Sequence, residues 1–227
     1  MKLYLDSADT ATWVRHPGLP AFSGVTTNPS LVFQAGFPVS TEAYVQLVGR
    51  AGALGVRELM LQMPRSDVGE IHQTLNVLLP AAALAKVQLT IKLPCHPQWR
   101  DAVRAVQEHG APVLLTGLSN AMQLMWAVEQ GANWVAPYVG RLEDAGRDVW
   151  ALIHACVNAQ RHGTQLLAAS VRSPDVLARL MAAGAAAVTV RPEYAVQWGT
   201  DALTLSAMAQ FDADILASEA LAADGDE

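Results

Sequence analysis

Lys92 is the residue of this chain best placed for covalent chemistry. It stands near the end of VQLTIKLP (residues 87–94), a run of β-branched and apolar residues that reads as a strand buried on both faces. An ammonium there must be paired, must reach the strand end, or must lose its proton, because desolvation disfavours the charged form. A lysine with a lowered pKa is a nucleophilic amine that condenses with a carbonyl to give a Schiff base. On this strand alone, a snorkelling edge lysine is the alternative. Only three of the fifteen basic residues are lysines, so Lys92 is not one more charge on a lysine-rich surface.

Other polar residues recur at the ends of short apolar runs: Asp6, Thr27 and Asn28, Gln62, Thr116, Tyr138, Ser170 and Arg191. Asp6 is the one carboxylate among them, suited to polarise an amine or carry protons. No histidine pair or acidic cluster has metal-ligand spacing, so neither a metal nor any other cofactor is expected, and the lysine would be the electron sink.

Positioning such a set requires elements that converge. Eight strand candidates follow one another: LYLD, GVTTN, ELMLQM, VQLTIKLP, VLLTGLS, WVAPYV, QLLAAS and AAVTV. Helical signals fill most of the gaps. Ser40 caps a helix running to about Gly55, Pro97 opens one that stops at Gly110, Asn120 caps one ending at Gly131, and Ser173-Pro174 opens one ending at Gly184. Eight βα units share 227 residues, about 28 each, which suits a compact parallel (β/α)8 TIM barrel. A barrel places catalytic groups at the C-terminal ends of its strands, where these polar residues stand.

Composition narrows the partners. A formal charge of −6 and a pI near 5.5 argue against nucleic acid. The start, MKLYLDSADTATW, lacks the apolar stretch of a signal peptide, and no segment reaches the length of a membrane span. VLLPAAALA is too short to span and reads as a helix end and turn. A cytoplasmic location is expected, with no membrane partner. Cys95 and Cys156 form neither a disulfide framework nor a zinc pattern and are expected as free core thiols.

The motif GVTTNPSLV (residues 24–32), followed two strands later by Lys92 in IKLP, resembles the signature of transaldolases and the related fructose-6-phosphate aldolases. YLDSAD, APYVGRLED (residues 136–144) and LAASVR (residues 167–172) are similar to further family segments in the same order. The resemblance implies a class I aldol enzyme that cleaves or transfers a dihydroxyacetone unit of a ketose or its phosphate. Lys92 then matches the imine-forming amine, and Asp6 the carboxylate that assists the carbinolamine and cleavage steps. Asn28, with Thr27, resembles the group that binds hydroxyls of the donor; an asparagine capping its own turn before Pro29 is the other reading. Gln62 and Thr116 resemble the pair that holds the reacting water. Arg141, Ser170 and Arg172 match positions associated with the phosphate. Gln62 and Tyr138 resemble the aldolases, where transaldolases commonly carry Glu and Phe, whereas YVGRLED and SVR are closer to transaldolase wording. Fructose-6-phosphate aldolase-type activity is the favoured expectation and pentose-phosphate transaldolase the alternative. A catalytically silent phosphosugar-binding or scaffold barrel is the alternative of another class.

After Lys-Leu-Pro the chain departs from the family pattern. His96 stands where a threonine is usual, and Gln98-Trp99 where an acidic-Gly pair is usual, which puts the ordinary substrate in question. His96 is expected as a substitute helix cap or a new acid/base group. The remaining histidines, His16, His72, His109, His154 and His162, carry no signal. The barrel is expected over residues 1–200. Residues 201–227 should form an extra helix whose stripe of Leu205, Met208, Phe211 and Ile215 meets a neighbouring subunit or folds across the barrel bottom. By resemblance the assembly would be a homo-oligomer, a decamer.

Overall fold

The computed structural model describes residues 1–14, 21–199 and 201–224; His16 lies outside them. Eight strands, β1 (Lys2–Asp6), β2 (Gly24–Thr26), β3 (Glu58–Gln62), β4 (Gln88–Pro94), β5 (Val113–Leu118), β6 (Trp134–Pro137), β7 (Gln165–Ala168) and β8 (Ala187–Val190), pair in parallel and in chain order into a closed barrel. Closure comes from β1, whose Leu5 registers with Val25 on one side and Val190 on the other. The chain is therefore the (β/α)8 barrel that the alternation of apolar runs predicts.

Among the described residues ten α-helices accompany the strands: α1 (Pro29–Gln34), α2 (Thr41–Ala53), α3 (Val68–Ala85), α4 (Arg100–Glu108), α5 (Ala121–Glu129), α6 (Val139–Asp144), α7 (Val149–Ala159), α8 (Pro174–Ala183), α9 (Pro192–Gly199) and α10 (Ala202–Asp224). The expected caps hold. Ser40, Asn120 and Ser173 accept N–H bonds from Ala43, Gln123 and Val176, and Gly55, Gly110, Gly131 and Gly184 take the left-handed backbone that closes each unit. One expectation holds in part. VLLPAAALA (residues 77–85) is the end of α3, as read, but no turn breaks it: the helix runs through Pro80 to Ala85, and Lys86 takes the left-handed cap. Proline there forfeits one backbone bond, but Leu75, Leu78 and Ala82 continue the buried face past it, and α3 stays packed between α2 and α4.

Two apolar layers result. The larger lies between strands and helices and takes the outward residues, such as Leu59, Leu61, Ile91 and Leu93. The smaller fills the barrel interior with Tyr4, Met60, Leu114, Ala136, Leu167 and Ala187. Below it, Glu58 accepts from the Tyr4 hydroxyl and from Lys2. Because strand side chains alternate with a period of two, the next inward position on most strands lies one step nearer the C-terminal rim. Those positions are Asp6, Gln62, Lys92, Thr116, Tyr138 and Thr189. An apolar plug under a polar ring is the ground plan of the site.

Candidate active site

The polar ring opens into a cavity of about 750 Å³. Lys92 lies at its floor, 5% exposed, with Nζ donating to the Thr27 carbonyl at 2.7 Å. Burial lowers its pKa, and the charge of Asp6 works in the opposite direction. Asp6 is itself oriented: Thr26 Oγ1 donates to Oδ1 at 2.8 Å and is 2.7 Å from Thr189 Oγ1. The carboxylate therefore comes from β1 and the amine from β4, across the barrel.

Gln62 ends β3. Its backbone carbonyl accepts from the Tyr44 hydroxyl at 2.7 Å, while its side-chain Oε1 is buried without a hydrogen-bond partner. A buried acceptor without a partner costs about 1–3 kcal/mol, so a polar guest in the cavity would recover that cost. Thr116 Oγ1 and the Tyr138 hydroxyl are 2.8 Å apart, which ties the ends of β5 and β6 together. The Arg141 guanidinium lies over the Tyr138 ring, 4.7 Å from its centroid.

Asn28 is the cap considered for it, and it also faces the cavity. Oδ1 accepts from Leu31 N–H at 3.0 Å and caps α1, and the residue lines the cavity, where its amide N–H groups have no partner among the described residues. Thr27 differs. It is fully buried and is not among the lining residues; its contribution is the carbonyl that holds Lys92. Ser170 takes a left-handed φ of 59°, rare for a residue with a side chain, while its carbonyl accepts from Gly140 N–H at 2.9 Å. Arg172 also reaches the cavity, with its guanidinium 2.6 Å from the Asp144 carboxylate.

Nine of the ten residues given a site role from sequence thus surround one cavity, and Thr27 stands just behind it. His96 and Trp99 do not line it. His96 Nδ1 accepts from Gln98 N–H at 3.2 Å, the substitute cap, and Trp99 packs against the core between strands and helices. The divergent segment therefore supplies no side chain to the cavity wall. Sequence reasoning placed Arg191 at a strand end without a specific role and missed Thr189 and Tyr194; all three line the cavity. Thr189 was legible in the alternation of AVTV; Tyr194 lies on a helix after the last strand, where strand periodicity carries no information. His72 and His109, read as signal-free, meet on the outer surface with Nδ1 2.9 Å from Nε2. Among the described residues, no group of three or more His, Cys, Asp or Glu side chains could hold a metal ion, and no helix is long and apolar enough to cross a membrane. Cys95 and Cys156 are free and buried, as expected.

A buried amine and a carboxylate thus line the floor of a (β/α)8 barrel with guanidiniums at its rim, at the end of the barrel where enzymes of this fold carry their sites. Comparison with known proteins gives the family. The chain belongs to the Transaldolase/Fructose-6-phosphate aldolase family, whose model matches residues 3–226, and it is an enzyme of that family. It is 30% identical over 217 residues to a probable transaldolase of Exiguobacterium sp., covering 94% of this chain and 97% of the relative. It is equally identical over 221 residues to one of Geobacillus kaustophilus, covering 94% and 98%. Among solved structures it resembles a lactate oxidase of Pediococcus acidilactici, with a TM-score of 0.58, 14% identity and coverage of 86% of this chain and 63% of that one. At that identity the likeness concerns the barrel alone.

Proposed function

We propose that the chain is a class I aldolase that works through a Schiff base on Lys92 and cleaves the C3–C4 bond of a ketose phosphate of the fructose 6-phosphate type. The observation that carries this reading is the buried Lys92 amine at the cavity floor, with its pKa lowered and one oriented carboxylate, Asp6, lining the same cavity. Desolvation keeps a fraction of the amine neutral, and the neutral amine attacks the C2 carbonyl. Loss of water gives an iminium, with protons relayed by Asp6 and the water held by Gln62 and Thr116. The iminium accepts the electrons of the C3–C4 bond as Asp6 takes the C4 hydroxyl proton. A three-carbon aldehyde phosphate leaves and an enamine remains. The Tyr138 hydroxyl protonates the enamine at C3, and water then hydrolyses the imine to release dihydroxyacetone and restore Lys92.

Asn28 would hold the donor hydroxyls through its amide N–H groups. Arg141, Ser170 and Arg172 would hold the phosphate, where guanidinium forks suit a dianion. Transaldolase activity is the second reading, supported by the names of the relatives. In it the enamine is passed to an aldose phosphate instead of being protonated. Gln62 and the Tyr138 phenol favour cleavage.

Borohydride reduction with fructose 6-phosphate or dihydroxyacetone, followed by mass spectrometry, tests the reading. A three-carbon adduct should appear on Lys92, and Lys92→Met should abolish both trapping and turnover. Adduct confined to Lys2 or Lys86 would sink it. Assaying released dihydroxyacetone against product transferred to an added aldose phosphate then separates the two activities.

A further inference from the structure

Three successive strands each send one guanidinium to the cavity: Arg141 follows β6, Arg172 follows β7 and Arg191 follows β8. They are not equally free. Arg172 is held by Asp144 at 2.6 Å, which offsets its charge. Arg141 lies over the Tyr138 ring, a contact that leaves its edge N–H groups to point elsewhere. Among the described residues Arg191 has only a loose ion pair, 3.7 Å from Glu193, with both side chains more than half exposed.

The backbone of Arg191 is well fixed. Its carbonyl accepts from the N–H groups of Tyr194 and Ala195, both at 3.1 Å, so it begins α9. Tyr194, which also lines the cavity, is stacked on Trp198 at 5.5 Å with the rings 2° from parallel. An anion beside Arg191 would meet a fork of donors and the positive end of an eight-residue helix together. The loops after strands seven and eight are the usual place in a barrel for a phosphate. The lining charge agrees. Among the described lining residues Asp6 is the one carboxylate, against Lys92 and three guanidiniums; Asp144 offsets Arg172 from outside the lining and Glu193 loosely offsets Arg191, which leaves the cavity locally positive in a chain of net charge −6.

We propose that Arg191 is a specificity residue of this site, a third guanidinium that grips the substrate's phosphate monoester from the β8 side and favours phosphorylated over unphosphorylated ketoses. This rests on the sugar-phosphate reading above and goes beyond it by giving Arg191 a role that no sequence motif assigned.

The test compares wild type, Arg191→Gln and Arg191→Lys. Inorganic phosphate is titrated by calorimetry, and kcat/KM is measured for fructose 6-phosphate and for unphosphorylated fructose. Losing one charge-assisted contact should weaken phosphate binding about tenfold. The ratio of kcat/KM for phosphorylated over unphosphorylated substrate should fall by a similar factor, mainly through KM, with Arg191→Lys recovering part of it. Unchanged phosphate affinity in Arg191→Gln overturns the proposal. So does an equal loss on both substrates, which would mean that Arg191 acts on the chemistry through Asp6 on the adjoining strand. Phosphate titration needs no turnover, so it decides the role of Arg191 even where Lys92 trapping fails and the imine reading falls.

Discussion

A lysine nine-tenths or more removed from water is costly to a protein that does not use it. The native chain binds a proton at Lys92 less readily than the unfolded chain, where the ordinary value of 10.5 applies. The sign follows. At pH below the lowered native value the destabilising difference is fully present; between that value and 10.5 the unfolded chain holds more protons, so stability rises with pH. Relative to Lys92→Met, wild-type stability should therefore climb by about 1.4 kcal/mol per pH unit across that window. Denaturant unfolding of the two proteins from neutral pH to pH ~10 measures it. Parallel profiles would mean that Lys92 titrates as an ordinary surface lysine does. The same burial that gives the amine its nucleophilicity gives the fold this penalty, a common exchange of stability for function.

The elements matter through how closely their ends approach. Gly140, in the first turn of α6, shows this best. A Cβ there would come within 2.6 Å of the Ser170 carbonyl oxygen and 2.8 Å of the Arg172 side chain. Both neighbours belong to the loop after β7 that is proposed to carry the phosphate. Gly140→Ala should cost about 1–3 kcal/mol by overpacking, and it should raise KM for phosphorylated substrate by displacing Ser170 from its left-handed conformation. Thermal melts and steady-state kinetics would show both effects. An alanine variant with wild-type stability and KM would mean that the loop yields freely. Thr116 and Tyr138 tie β5 to β6 in a similar way, joining side chains where backbone pairing between strands ends.

At the scale of the whole molecule, α10 is the feature the barrel does not explain. Its 23 residues extend roughly 34 Å, and every side chain from 201 to 220 is exposed. Leu203, Leu205, Met208, Phe211, Ile215 and Leu216 are each at least half exposed, so the helix does not fold across its own barrel as a cover. An apolar helix with no surface of its own to lie on calls for one supplied by another chain. We propose that it docks on a neighbouring protomer. Ending the chain after Gly199 should then reduce the oligomer mass in light scattering and lower the thermal midpoint, because assembly stabilises the native state by mass action. An unchanged mass would exclude the bridging role.

Local pattern alone determined the barrel, its caps and most of the ring. Eight apolar runs separated by cap-to-glycine helices leave few other architectures, and a period of two decides which residue follows the core layer on each strand. That is why Asp6, Gln62, Lys92, Thr116 and Tyr138 could be named before any coordinates. The tertiary structure decided what depends on residues distant in the chain. Thr27, beside Asn28 in the motif, turns its side chain away and offers Lys92 its carbonyl. His96 and Trp99, conspicuous in sequence, end up off the cavity wall. Arg172 is engaged by Asp144 while Arg191 is left nearly free. Pro80 remains inside α3 because packing on both sides outweighs one missing hydrogen bond. Sequence spacing places residues along an element; which neighbour answers each charge and each open hydrogen bond is settled only when the elements meet.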